Sequence, residues 1–168
     1  MADKFKQIGK NAIIYEYAKI VKKSVITIGD FSQIDDFTFI YGGNGIEIGK
    51  YVHIASFCSI IGGGSCTIGD YAAIAAGARI ITGTDQYIGG CRMSAAAPNN
   101  QRNVLISSVR IGKDAFIGTN AVIHPNVIIG EGAIIGSNSL VLSDVEPWSI
   151  NIGSPSKKIK ERPKVKYE

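Results

Sequence analysis

Ile111-Gly112, Ile117-Gly118, Ile123-His124, Ile129-Gly130, Ile135-Gly136, Val141: over residues 111–141 an aliphatic side chain returns every six positions. Two residues before each return stands a small or short side chain: Ala115, Ala121, Val127, Ala133, Ser139. A helix needs returns at three and four, so this spacing excludes it. A flat strand would alternate without a break, and the glycines interrupt alternation. A three-sided coil satisfies both observations. Each side is a short strand whose alternate residues point inward, and a small residue after the aliphatic lets the chain turn the corner. Such a period marks a solenoid.

The same period runs back to the start of the chain. Ile8, Ile28, Ile48 and Ile68 open successive coils at steps of 20, each followed by aliphatics at steps of six. The two extra residues per coil fall at loose corners such as Gly42-Gly43-Asn44-Gly45 and Gly62-Gly63-Gly64-Ser65. After Ile111 the step tightens to 18. About six or seven coils at roughly 4.8 Å per layer make a prism roughly 30 Å tall. The expectation is a single all-β domain over residues 1–168, a parallel β-helix. From Thr82 to Arg110 the period is lost, and Gly83-Thr84-Asp85 and Pro98-Asn99-Asn100 are loop chemistry. An excursion of this length in a repeat protein is usually functional or disordered, and the clean return of the coil after it favours function. Residues 147–168 form a cap and basic tail. Ser154 as N-cap, Pro155 at the first helical position and Pro163 as a stop predict a short C-terminal helix there.

Composition narrows the function classes. With 45% hydrophobic and 19% charged residues the chain is not disordered. The net charge of +4 is concentrated in Lys157, Lys158, Lys160, Arg162, Lys164 and Lys166. That run reads either as a solvated tail or as an anion site for a phosphorylated ligand. It lacks the spread and interleaved aromatics of a nucleic-acid surface. Cys58, Cys66 and Cys91 have no metal-ligand spacing, and Cys58 falls on an inward position, as core filling. No apolar run suits a signal peptide or a membrane span, so a cytoplasmic protein without membrane insertion is expected.

These features together resemble the hexapeptide-repeat acyltransferases, the left-handed β-helix family, and among them the galactoside and maltose O-acetyltransferases and the sugar acetyltransferases of surface-polysaccharide pathways. The repeat carries the fold; the excursion and the ending Gly153-Ser-Pro-Ser-Lys157-Lys-Ile-Lys160 carry the likeness to coenzyme A users. The resemblance implies left-handed coils and a homotrimer with sites in grooves between adjacent prisms, the long loop of one subunit covering each site. It implies acetyl-CoA as acyl donor, its pantetheine arm at Gly118-Thr119 and Gly136-Ser137 and its 3′-phosphate at Lys157 and Lys160. The family's catalytic-histidine column falls here on Asp85, and its acceptor-binding asparagine column near Ser56.

A base must therefore be sought elsewhere. His53 precedes the inward Ile54, so alternation turns it outward, between Gln33 and Ala73 of the neighbouring coils. It is read both as a general base and as a plain surface or interface histidine. Asp85 is a second candidate, as base or as orienter of one. Asp35 and Asp36, outward or at a corner, are candidates for binding acceptor hydroxyls. Two histidines cannot build the three-histidine zinc site found elsewhere on this fold, so no metal is expected. The leading expectation is acetyl-CoA-dependent O-acetylation of a sugar hydroxyl. The alternatives are N-acetylation of a nucleotide-linked amino sugar and a non-catalytic β-helix binding trimer.

Overall fold

The computed structural model describes residues 4–167. The chain winds into a parallel three-faced β-solenoid of the left-handed β-helix type. The first face carries six strands, the second eight and the third six. Register follows the six-residue period: Ile8 pairs with Ile28, Ile28 with Ile48 and Ile48 with Ile68. Ile68 then pairs with Ile111 across the excursion, and Ile111 with Ile129. Ile34, Ile54, Ile74, Ile117 and Ile135 do the same on the second face.

The inward isoleucines and the small residues between them form one continuous core. Ile26, Ile34, Ile40, Ile117, Ile123, Ala121 and Ala133 have no accessible surface, and Cys58 and Cys66 fill two further inward positions. Burial pushes the Cys66 thiol up to about 12, the state of an inert core residue. Among the described residues no helix is long and apolar enough to cross a membrane.

The three faces differ outward. The first presents Thr27, Glu47, Thr67 and Arg110. The third presents Phe39, Tyr41 and Val122, and the second Ile13, Ala73, Phe116 and Ile134. The corners recur in the left-handed backbone region, and two of them carry aromatics there. Phe31, Tyr51 and Tyr71 stack at 5.0 and 4.9 Å along the first corner. Tyr17, Phe37 and Phe57 stack at 5.8 and 5.3 Å along the second. Ring stacking between coils offsets the cost of a left-handed aromatic.

The excursion is more ordered than its composition suggests. Gly83–Asp85 pairs antiparallel with Val104–Ile106, and the coil is already back in register at Ser108. Thr82 ties its root down: its hydroxyl donates to Ile61 O and accepts from Gly64 N–H.

The C-terminal helix is not formed. Lys157–Glu161 is instead a strand, antiparallel to Ser149–Ile152. The last coil leaves a row of unpaired backbone groups at its edge, and an edge seeks a strand. A helix of one or two turns has little stability to set against that. Trp148 packs in the cap, over Gly132, with the Arg162 guanidinium 5.6 Å from its ring centre.

Candidate active site

The second corner of the prism collects most of the residues singled out by sequence, one above another. At its lower end Asp35 and Asp36 turn the corner of the second coil and Ser56 that of the third. With Tyr15 and Gln33 they line a cavity of about 230 Å³. His53 stands beside it, flanked across the sheet by Gln33 and Ala73 as alternation requires.

Asp35 is not a free ligand for a sugar. Its Oδ1 accepts from Gln33 Nε2 at 2.7 Å, and its Oδ2 lies 3.0 Å from His53 Nε2. Burial pushes this carboxyl up, but the hydrogen bonds from Gln33 and His53 outweigh that and hold it below the ordinary carboxylate value. An ionised carboxylate only accepts, so Nε2 carries the proton, and a neutral imidazole keeps its lone pair on Nδ1. His53 is half exposed and Asp35 largely covered, which suits a mounted, accessible base. Asp36 keeps more freedom. Its Oδ1 caps Tyr17 N–H at 2.8 Å.

The corner changes character at Gly77. Below it the column is Tyr17, Phe37, Phe57. Gly77 ends the ladder, and the Asn120 carboxamide fills the space its side chain would take. Arg79 Nη1 braces this level by donating to Phe57 O at 2.6 Å and Gly77 O at 2.8 Å. Above it the corner is small and polar: Gly118-Thr119-Asn120, then Gly136-Ser137-Asn138. Thr119 and Ser137 expose their hydroxyls, and Asn138 N–H donates to Thr119 O. The two glycines answer to coil stacking. A Cβ on Gly118 would stand 2.6 Å from Ile135 O and Ser137 N, and one on Gly136 2.6 Å from Ile152 Cγ2.

The column ends at the C-terminal strand. Across the ladder Lys157 pairs with Ile152, Lys158 with Asn151 and Lys160 with Ile150, so Ile159 bulges. Paired residues share a face. The bulge therefore returns Lys160 to the side of Lys157, although a regular strand would separate residues three apart. Lys158 is otherwise engaged. Glu146 at 2.7 Å and Glu161 at 2.6 Å push its ammonium up to about 12.

Asp85 stands apart from this column, on the hairpin that leaves the third face. Its Oδ1 accepts from Arg102 Nε at 2.7 Å and its Oδ2 from Arg102 Nη2 at 2.8 Å. Both side chains are 14% exposed, and the Arg102 hydrogen bonds hold the carboxyl below its usual value. Within one chain Asp85 and His53 lie on different edges of the prism. Arg102 was not legible from spacing. The aromatic ladders were: their members recur at steps of 20, like the isoleucines.

Comparison with known proteins bears on this geometry. The family model "Bacterial transferase hexapeptide (six repeats)" matches residues 108–143. The dTDP-4-amino-4,6-dideoxy-D-glucose acyltransferase of Escherichia coli is 40% identical over 161 residues, covering 95% of this chain and 84% of that protein. A variant of AntD, an N-acyltransferase from Bacillus cereus, in complex with dTDP and coenzyme A, superposes with a TM-score of 0.91 at 35% identity, over 95% of this chain and 85% of that one. AntD with dTDP and 3-hydroxybutyryl-CoA gives 0.90 at 36% identity, over 95% and 84%. A hexapeptide-repeat acetyltransferase from Vibrio cholerae, complexed with acetyl coenzyme A, shares the fold at a TM-score of 0.64 and 21% identity, over 95% and 73%.

Proposed function

This chain belongs to the hexapeptide-repeat transferases and is an acyltransferase; from that premise we propose that it transfers an acyl group from a coenzyme A thioester to the amino group of a dTDP-linked 4-amino-4,6-dideoxy sugar. The observation that carries this reading is the continuous second corner. It runs from the acidic cavity beside His53, past the break at Gly77, along the hydroxyls of Thr119 and Ser137, to Lys157 and Lys160. A thioester arm laid along the upper half, with its phosphate at the lysines, brings its acyl end to the acidic cavity. The E. coli relative is named for such an amino sugar and AntD as an N-acyltransferase. Both favour the amine over the hydroxyl acceptor that the sequence had put first. Acetyl-CoA stays the expected donor.

The chemistry asks little of the protein. An amine lone pair attacks the thioester carbonyl, and a backbone N–H at a glycine corner meets the developing oxyanion. The attacking nitrogen sheds its extra proton, collapse of the tetrahedral intermediate breaks the C–S bond, and the departing thiolate takes a proton up, so that none is gained or lost overall. The amine, if it arrives as ammonium, must first lose a proton, and that is the task of His53 through Nδ1. Asp35 positions the ring, and Asp36 and Ser56 hold the sugar. Asp85, saturated by Arg102, is assigned to bracing the excursion.

A homotrimer suits this reading. The second and third faces carry exposed aromatic side chains, among them Phe39, Tyr41 and Phe116, while the first is mostly polar, with Ile128 its outward apolar residue near the upper end. Two apolar faces per prism match a ring in which each copy meets two neighbours. The free thiols agree with a cytoplasmic setting.

Acetyl-CoA with the dTDP-linked 4-amino sugar, set beside its 4-hydroxy counterpart, tests the proposal. Acetylation of the amine, with thermal stabilisation by coenzyme A, is expected. Turnover of the hydroxyl acceptor alone would overturn it.

A further inference from the structure

The basic tail has a counterpart at the opposite end of the prism. Residues 4–23, the first coil, carry Lys4, Lys6, Lys10, Lys19, Lys22 and Lys23 against a single acid, Glu16. Residues 24–168 hold twelve Lys or Arg and twelve Asp or Glu, tail included, so the positive excess of the molecule belongs to this coil. Lys22 Nζ donates to Gly43 O, and Lys23 lies 5.3 Å from the centre of the Phe5 ring. Lys4, Lys6, Lys10 and Lys19 are exposed and form no ion pair with another described residue.

The floor that these lysines surround is apolar. Ile8 holds the same inward position as Ile28, yet it is 47% exposed against 1%, because no coil of the described residues lies beneath it. Ile14, below the fully buried Ile34, is half-buried for the same reason. Tyr17 is the last ring of its ladder, stacked on Phe37 above and otherwise exposed. Gln7–Ile8, Ile13–Ile14 and Lys19–Val21 are the outermost strands of their three sheets. At the upper end Lys157–Glu161 covers the edge of the second face; among the described residues the lower end has no such strand.

Charge selects what this floor can meet. Lysines around an open edge repel a second copy presenting the same lysines, the usual guard against edge-to-edge pairing. What they attract is an anionic surface. All six cations are lysines, compact charges without the planar fork of arginine that suits nucleic-acid recognition. Exposed isoleucine finds no counterpart on a phosphodiester backbone either. An anionic lipid surface answers both halves: headgroups for the ammonium groups, and the acyl boundary beneath them for the floor. Lysine stems are long and flexible enough to reach the one while the floor meets the other.

We propose that the first coil docks this protein on an anionic lipid surface, with Lys4, Lys6, Lys10 and Lys19 at the headgroups and Ile8, Ile14 and Tyr17 at their boundary with the acyl chains. The prism then stands on its end. The acidic cavity, whose wall begins at Tyr15 of the first coil, lies within about 10 Å of the surface, two strand layers, and Lys157 and Lys160 face away from it. In a ring of parallel prisms the floors share one plane, so their attractions to one membrane reinforce each other.

Sedimentation of the full chain with vesicles tests it, phosphatidylcholine alone set beside a phosphatidylcholine–phosphatidylglycerol mixture. Binding to the mixture only, weakened by added salt, is expected. A lysine at an anionic surface is worth about fivefold in affinity. Lys4→Gln, Lys6→Gln and Lys10→Gln together should therefore weaken binding by about 100-fold with Tm unchanged. Ile8→Ser should weaken it and leave its salt dependence as in the wild type. Lys164→Gln with Lys166→Gln, in the tail, should bind as the wild type does. Equal binding to both vesicles, binding to neither, or undiminished binding by the triple variant would overturn the proposal. A loss in the tail variant as large as in the triple variant would overturn it too, and so would binding to a duplex oligonucleotide in place of vesicles.

Discussion

His53 Nε2 stands 3.0 Å from Asp35 Oδ2, one coil away, and Gln33 Nε2 holds the other oxygen of that carboxylate at 2.7 Å. The pairing fixes which imidazole nitrogen is free and points to a measurement. His53→Ala should lower kcat/KM for the amino sugar little where the amine is already neutral. Below the amine's own pKa the loss should grow toward roughly 10²–10⁴-fold, the range for removal of a general base. Asp35→Asn should produce a smaller loss with the same pH trend, since the ring is then misoriented rather than missing. The Asp35 carboxyl lies below its ordinary value, so it stays ionised above about pH 4 and adds no pH dependence of its own near neutrality. A pH-independent loss in His53→Ala would remove the imidazole from proton transfer.

Asp85 and Arg102 make a prediction about stability. The folded carboxyl of Asp85 is depressed by its hydrogen bonds with Arg102. A depressed carboxylate stabilises the fold fully above its unfolded pKa of about 3.9, and loses that contribution as pH falls through the lower folded value. Asp85→Asn should therefore lower Tm at pH 7 and flatten its fall on acidification below about pH 4. Proteolysis should cut the variant first in the excursion. A Tm equal to wild type at pH 7, with coenzyme A binding intact and activity abolished, would return Asp85 to the chemistry.

The fold was legible because a solenoid repeats its rule. Each of Ile34, Ile54, Ile74, Ile117 and Ile135 is an independent reading of the same inward position, and one error could not shift the rest. His53 was legible for the same reason: strict alternation sets the direction of a side chain next to a buried isoleucine. The C-terminal strand was not. Ser154, Pro155 and Pro163 have the local signals of a short helix, but an unpaired strand edge above Ile150 decides the matter, and a local reading does not see that edge. Nor does periodicity reach Arg102, 17 residues from Asp85 inside the stretch that has no period.

The glycines of the upper corner separate packing from binding. Gly118→Ala would set a methyl 2.6 Å from Ile135 O and Ser137 N, and backbone of the next coil cannot move aside cheaply. Overpacking of that kind costs about 1–3 kcal/mol, visible as a lowered Tm. Thr119→Ala and Ser137→Ala, with exposed side chains, should leave Tm unchanged and raise KM for acetyl-CoA. If both hydroxyl variants keep the wild-type KM, the thioester arm does not lie along this corner.

Lys157 and Lys160 make the sharpest test of where the cofactor phosphate sits. They share a face only because Ile159 bulges, while Lys158 is held by Glu146 and Glu161. Lys157→Met with Lys160→Met should weaken coenzyme A by roughly tenfold or more, the worth of charge-assisted contacts to a phosphate. Dephospho-coenzyme A, lacking the 3′-phosphate, should bind wild type and double variant alike. Lys158→Met serves as the contrast: it strips a partner from two glutamates and should lower Tm without separating the two ligands. Deleting Ile159 makes the strand regular and leaves Lys157 and Lys160 two apart on one face, so it should keep the separation between the two ligands that the double variant loses. Equal losses for coenzyme A and its dephospho form would show that the strand only closes the last coil and that the phosphate is held elsewhere.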